Sequence, residues 1–194
     1  MSGDGGVTPR PASPGTGDFR RVSEVAIYDG PIFRLVDETF ESPHGDAFRR
    51  QIVRHNGAVA VVPLHEDGTI TVISQFRASL MERLLEIPAG MLDRPGEPLD
   101  EAARRELREE VGLLCGRLDH LCTYVPAPGM TDERVTIFVA RDLTAVETER
   151  HGPEEHDMVV SRVRLSDALA MIEAGEIIDG KTAYAFALLV AQGR

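Results

Sequence analysis

Three glutamates, Glu106, Glu109 and Glu110, stand at i, i+3 and i+4 in the run Arg104-Arg105-Glu106-Leu107-Arg108-Glu109-Glu110-Val111. If the run is helical, these spacings make the three carboxylates neighbours on one face. Like charges so placed oppose an isolated helix by about 0.2–0.5 kcal/mol per pair, so the face calls for a positive partner. Arg104, Arg105 and Arg108 could balance it as an ordinary solvated acidic face. A hard divalent cation, Mg²⁺ with Mn²⁺ as a substitute, fits equally, because it takes a few carboxylate oxygens and keeps room for water and phosphate. Such an ion could polarise a phosphoryl oxygen and acidify a water.

A second acidic stretch, Gly152-Pro153-Glu154-Glu155-His156-Asp157, offers general bases for that water. His156 competes on intrinsic pKa, whereas Glu154 or Glu155 suffices if a metal has already lowered the basicity required.

These groups need elements to hold them. Leu99, Ala103, Leu107 and Val111 recur at a spacing of four, the buried stripe of a helix, with Pro98 suited to its first turn and Gly112 to its C-cap. Ahead of it, Val22–Tyr28, Phe33–Glu41 and Ala47–Arg54 read as a small antiparallel sheet, and Ala58–Pro63 and Thr69–Gln75 as a strand pair turning at Glu66-Asp67-Gly68. Behind it come strands at 118–125, 134–140 and 159–163, then helices at 166–174 and 182–191. Strands outnumber helices, and helices gather late, which favours an α/β or α+β sandwich over a bundle or a barrel.

Composition narrows the function. A formal charge of −11 repels polyanionic duplexes, so nucleic acid is not an expected partner. No apolar run approaches the roughly 20 residues that span a bilayer. Residues 1–18, with five Gly and three Pro, cannot bury enough surface to offset ordering and read as a flexible tail without a secretory core. Cys115 and Cys122 are too few for a disulfide framework. A cytoplasmic protein is expected, with the tail at 1–18, a β-domain at 19–56 and a main domain at 57–194.

The segment Gly90 to Leu113 resembles the Nudix box: Gly, five residues, Glu, seven residues, then Arg-Glu-aliphatic-any-Glu-Glu-any-Gly-aliphatic. Gly90, Glu97, Arg105, Glu106, Leu107, Glu109, Glu110, Gly112 and Leu113 fill its places. Six residues rather than five separate Gly90 from Glu97, an insertion that the loop before the helix can absorb. The resemblance implies an α/β/α sandwich behind a small N-terminal antiparallel β-domain. It implies metal ligation by Glu106, Glu109 and Glu110 with the carbonyl of Ala89, a bracing role for Glu97, and an orienting role for Arg105 within the catalytic set.

Three further stretches resemble the ADP-ribose pyrophosphatase branch: Glu86-Ile-Pro-Ala-Gly90, Ala127-Pro-Gly-Met-Thr-Asp-Glu133 and Gly175-Glu-Ile-Ile-Asp-Gly-Lys-Thr182. That likeness implies a homodimer built through the front β-domain and hydrolysis of ADP-ribose to AMP and ribose 5-phosphate. It implies substrate contacts from Arg77, with Arg50, Glu86 and Glu133 as further candidates. Phe33 or Tyr28 would stack on adenine, although either also suits a sheet core. Counting back from Asp157 places the base at Glu154, with Glu155 one residue away. Other nucleoside diphosphate sugars or dinucleotides, and a nucleotide-sensing module without catalysis, are the alternatives.

Overall fold

A computed structural model describes residues 19–193, so the tail expected at 1–18 lies outside the described residues. The chain divides into two compact units between Val53 and Arg54.

The first unit is a three-stranded sheet of β1 (Arg20–Asp29), β2 (Phe33–Glu41) and β3 (Ala47–His55), in that order, with β1 antiparallel to β2. β3 runs through the division between the units, and ends just short of the 56/57 boundary expected from sequence. The turn between β2 and β3 is closed by Ser42, whose hydroxyl accepts from the backbone N–H groups of His44 and Asp46. β1 is an edge strand exposed along its whole length, and it carries Val22, Val25, Ile27 and Tyr28 into the open.

The second unit holds two sheets. One runs β7 (Ala89–Met91), β4 (Ala58–Pro63), β9 (Val135–Ala145) and β8 (Leu113–Tyr124); the other runs β10 (Val159–Arg164), β5 (Thr69–Arg77) and β6 (Glu82–Glu86). β4 lies parallel to β9 at the centre of its sheet, and its side chains feed two cores by alternation. Val59 and Val61 pack with Ala102, Ala103 and Leu107 of α1 (Leu99–Val111); Ala60 and Val62 pack with Ala185, Phe186 and Leu189 of α4 (Gly180–Ala191). A strand covered on both faces has no polar side to show, which is why its sequence is an unbroken apolar run. The helices on opposite faces make the sandwich.

Corrections to the sequence reading are local. β4 and β5 stand in different sheets rather than pairing as a hairpin; the connection makes an isolated bridge, Leu64↔Ile70, as the chain passes from one sheet to the other. Pro98 is the N-cap of α1 rather than part of its first turn, while Gly112 closes the helix at φ 64°, a left-handed conformation that costs a glycine nothing. The acidic stretch contains a short helix, α2 (Gly152–His156). The helix expected at 166–174 is a 3₁₀ turn, Leu165–Asp167, followed by α3 (Ala168–Glu173). α4 starts two residues before the expected Thr182, because Asp179 caps it by accepting from the Thr182 N–H at 3.0 Å. Among the described residues no helix is long and apolar enough to cross a membrane.

Candidate active site

α1 buries its apolar stripe against β4 and so turns Glu106, Glu109 and Glu110 toward β7, all three less than a tenth exposed. Of Arg104, Arg105 and Arg108 only Arg105 serves this face, joined by Arg94 from the preceding loop, whose Nη2 lies 3.6 Å from Glu109 Oε1. Arg104 turns to the carbonyl of Cys115, and Arg108 pairs with Glu149. Arg105 grips Glu97 through Nε (3.0 Å) and Nη2 (2.9 Å), and its Nη1 reaches Glu106 (2.6 Å) and Glu109 (3.1 Å). The bidentate Glu97 contact, seconded by Glu106 and Glu109, holds the guanidinium well above the ordinary arginine range. The longer loop before the helix leaves this brace intact, since Glu97 N–H closes a turn on Arg94 O (3.1 Å) and Glu97 still meets Arg105.

The deepest of these three carboxylates is Glu110, whose Oε2 accepts from the Ala89 N–H at 2.9 Å. Burial pushes it up to about 8, with the charges of Glu106 and Glu155 adding; burial likewise pushes Glu106 up to about 7 against the pull of Arg105. Gly90 leaves the space that Glu106 fills, because a Cβ there would overlap its carboxyl group. Among the described residues no three acidic, His or Cys side chains are gathered tightly enough to hold an ion as they stand. The donor set nevertheless fits a hard cation: buried carboxylates that resist ionisation together, in a cradle kept open by a missing side chain.

Beside this face, β5 and β6 place Arg77 and Glu86. Arg77 binds Glu86 through Nε (2.6 Å) and Nη2 (2.5 Å), and Lys181, from the first turn of α4, pairs with the same carboxylate and with Asp179 (3.1 Å). Burial opposes the charge on Glu86, but the Arg77 hydrogen bonds and Lys181 outweigh it and hold its carboxyl below the usual range. Both Glu86 oxygens are thus occupied by protein cations, and Glu110 lies within electrostatic reach of Arg77. Lys181 and Asp179 were not singled out from sequence. The Asp-Gly-Lys-Thr run that carries them was visible, but its contact with β6 was not.

Glu155 is half-buried, and its charge is felt by both Glu106 and Glu110, whereas Glu154 is exposed. Glu155 accepts from the His151 N–H at 2.6 Å. Glu133 lies 3.7 Å from His55, and its charge, with that of Asp179, adds to burial in pushing the Tyr124 hydroxyl far up. In the first unit, Phe33 packs on Tyr28 (ring centroids 5.4 Å apart) and the Arg50 guanidinium sits 4.8 Å over the Phe48 ring.

The model of the NUDIX domain matches residues 54–183, more than half the chain. The chain is 38% identical to the ADP-ribose pyrophosphatase of Bacillus subtilis (strain 168), over 88% of this chain and 91% of that protein. It is 37% identical to the ADP-ribose pyrophosphatase of Mycobacterium tuberculosis, over 84% and 78%. A crystal structure of an ADP compounds hydrolase superposes with a TM-score of 0.76 at 26% identity, covering 91% of this chain and 97% of that one. Enzymes of this kind generally use divalent metal ions. With the three box glutamates gathered on one buried helix face and a domain match that spans both sheets of the second unit, the chain belongs to the Nudix family.

Proposed function

We propose that the protein hydrolyses the pyrophosphate bond of ADP-ribose, giving AMP and ribose 5-phosphate. The observation that carries this reading is the burial of Glu106 and Glu110 beside Arg77, in a chain whose relatives named above are ADP-ribose pyrophosphatases. Glu106, Glu109, Glu110 and the Ala89 carbonyl would hold Mg²⁺ or Mn²⁺. When bound, the ion supplies Lewis acidity toward the pyrophosphate oxygens and the attacking water.

This chain's own residues supply the rest. Arg77 presents its remaining N–H groups to phosphate, while Glu86 and Lys181 hold it in place, and Glu86, whose Oε1 accepts only from Arg77, is a proposed further contact to the substrate. Arg105 keeps Glu106 and Glu109 aimed by donating to both. Glu154 or Glu155 takes the proton of the water, whose oxygen bonds to one phosphorus as the bridging oxygen departs with the other. The half-buried placement of Glu155 toward the carboxylate face favours it over Glu154, the reverse of the order taken from sequence. Glu133, Arg50 and the Phe33 ring are proposed contacts to the remainder of the nucleotide.

A homodimer is part of the reading, and the exposed apolar edge strand β1 supports it. A cytoplasmic location is also part of the reading. The test is hydrolysis of a panel of nucleoside diphosphate compounds in ¹⁸O-labelled water with Mg²⁺, with products weighed. AMP and ribose 5-phosphate carrying one label between them are expected; a panel in which ADP-ribose is untouched would overturn the proposal.

A further inference from the structure

The last carbonyls of a helix find no partner within it. In α1 those of Glu109 and Glu110, with that of the capping Gly112, are met by a single segment. The Glu149 N–H donates to Glu109 O (3.1 Å), Arg150 Nε donates to Glu110 O (3.0 Å), and the Val146 N–H donates to Gly112 O (2.8 Å). Residues 146–150 therefore run along the end of the helix that carries the three carboxylates. The half-buried Arg150 has a second attachment: its Nη1 donates to Met158 O at 3.0 Å. Met158 is itself buried in the core that α1 shares with β4 and β5. One guanidinium thus joins the helix end to both roots of residues 151–157, the stretch that bears Glu154 and Glu155.

We propose that Arg150 is a positioning residue for the hydrolysis: by bridging the carbonyls of Glu110 and Met158, it sets the distance between the carboxylate face of α1 and the base on α2. The inference rests on the reading of Glu154 or Glu155 as base. A planar fork with N–H groups in several fixed directions can serve two carbonyls at once, and a lysine ammonium on its flexible stem does not reproduce that geometry. A displacement of about 1 Å between reacting groups can cost about 10²-fold in rate. The positive charge also suits a helix C-terminus, but Arg150→Lys keeps that charge and isolates the bridge.

The experiment is a double-mutant cycle on the full chain. Glu154→Gln and Glu155→Gln first identify the base, and Arg150→Lys is then measured alone and combined with the base variant. In the wild-type background Arg150→Lys should lower kcat by about 10- to 100-fold, with KM for ADP-ribose and half-saturation by Mg²⁺ nearly unchanged. Without the base, the same substitution should change kcat by no more than about twofold, since nothing remains to be positioned. Arg150→Gln, a neutral donor, is carried through the same cycle so that the answer does not depend on one variant folding. Equal losses in both backgrounds, or a loss seen in Mg²⁺ half-saturation instead of kcat, would overturn the inference. Full activity in both glutamate variants would overturn the base assignment and the inference with it. Loss in a glutamate variant alongside an unaffected Arg150→Lys would overturn the inference alone.

Discussion

The carboxyl group of Glu106 occupies the space where Gly90 would carry its side chain. The overlapping atoms belong to the far end of a glutamate, so an added methyl displaces that carboxylate at little cost to the backbone. Gly90→Ala is therefore expected to melt close to wild type while losing about 10- to 100-fold in metal affinity, the usual effect of disturbing what orients a ligand. Activity against Mg²⁺ concentration, read beside a melting curve, checks both halves. Unaltered Mg²⁺ dependence would mean that Glu106 lies outside the metal set.

Metal removal should make stability depend on pH in a definite sense. Glu106 and Glu110 are pushed up to about 7 and about 8, chiefly by burial, so the folded protein binds more protons than the unfolded chain across the interval above ordinary carboxylate values. Stability from these groups is fully present below the unfolded pKa and is lost as pH rises through the folded values. The two interact, so the loss is a property of the pair. In EDTA the melting temperature should fall between about pH 6 and pH 8.5, Glu110→Gln should flatten that slope, and Mg²⁺ should raise Tm most at the alkaline end. A pH-independent Tm in EDTA would contradict the buried, mutually repelling arrangement.

Glu86 is the hinge of the Arg77–Lys181 cluster. Removing one partner of a buried ion pair typically costs about 3–5 kcal/mol. Arg77 is partly exposed and screened, so Glu86→Gln should lie nearer about 3 kcal/mol in denaturant unfolding. Lys181→Met leaves Arg77 on Glu86 and should cost less stability, while loosening Arg77 and raising KM for ADP-ribose. A Glu86→Gln variant with unchanged stability and KM would remove the cluster from the site.

On the acidic segment, Glu155→Gln should lower kcat by about 10²–10⁴-fold with KM little changed, Glu154→Gln should do less, and His156→Ala least. The reverse ranking of the two glutamates would restore Glu154 as base. Steady-state kinetics at saturating Mg²⁺ decides.

A protein that pairs through its front sheet should scatter light as twice the 21.2 kDa chain. Val25→Lys and Ile27→Lys on the exposed strand β1 should halve that mass, since charges on an edge block strand or face association. A fully active monomer at micromolar concentration would refute the dimer.

Much of this was legible in the chain because it is written locally. The apolar run of β4 and the four-residue stripe of α1 report burial through periodicity, and the box places its carboxylates by covalent spacing alone. What escaped depends on distant partners. Lys181 meets Glu86 across 95 positions and Arg150 meets Glu110 across 40, and no local pattern announces either contact. The turn at Asp67-Gly68 signals a reversal but not a change of sheet, so the Ala58–Pro63 and Thr69–Gln75 runs looked like hairpin partners. α2 is only five residues long, too short for a periodic signature or for stability by itself. The ranking of Glu154 over Glu155 turned on a single-residue count, whereas burial distinguishes them directly.

Arg105 gives the acidic face a resident counter-ion. A cluster of carboxylates that relied on a metal to cancel its repulsion would make the ion a structural necessity, as zinc is for small domains that unfold without it. Here one guanidinium, held in place by Glu97, already neutralises part of that repulsion from inside the helix. The fold would then not depend on a metal, and an ion bound by Glu106, Glu109 and Glu110 would share the face with a cation already in place.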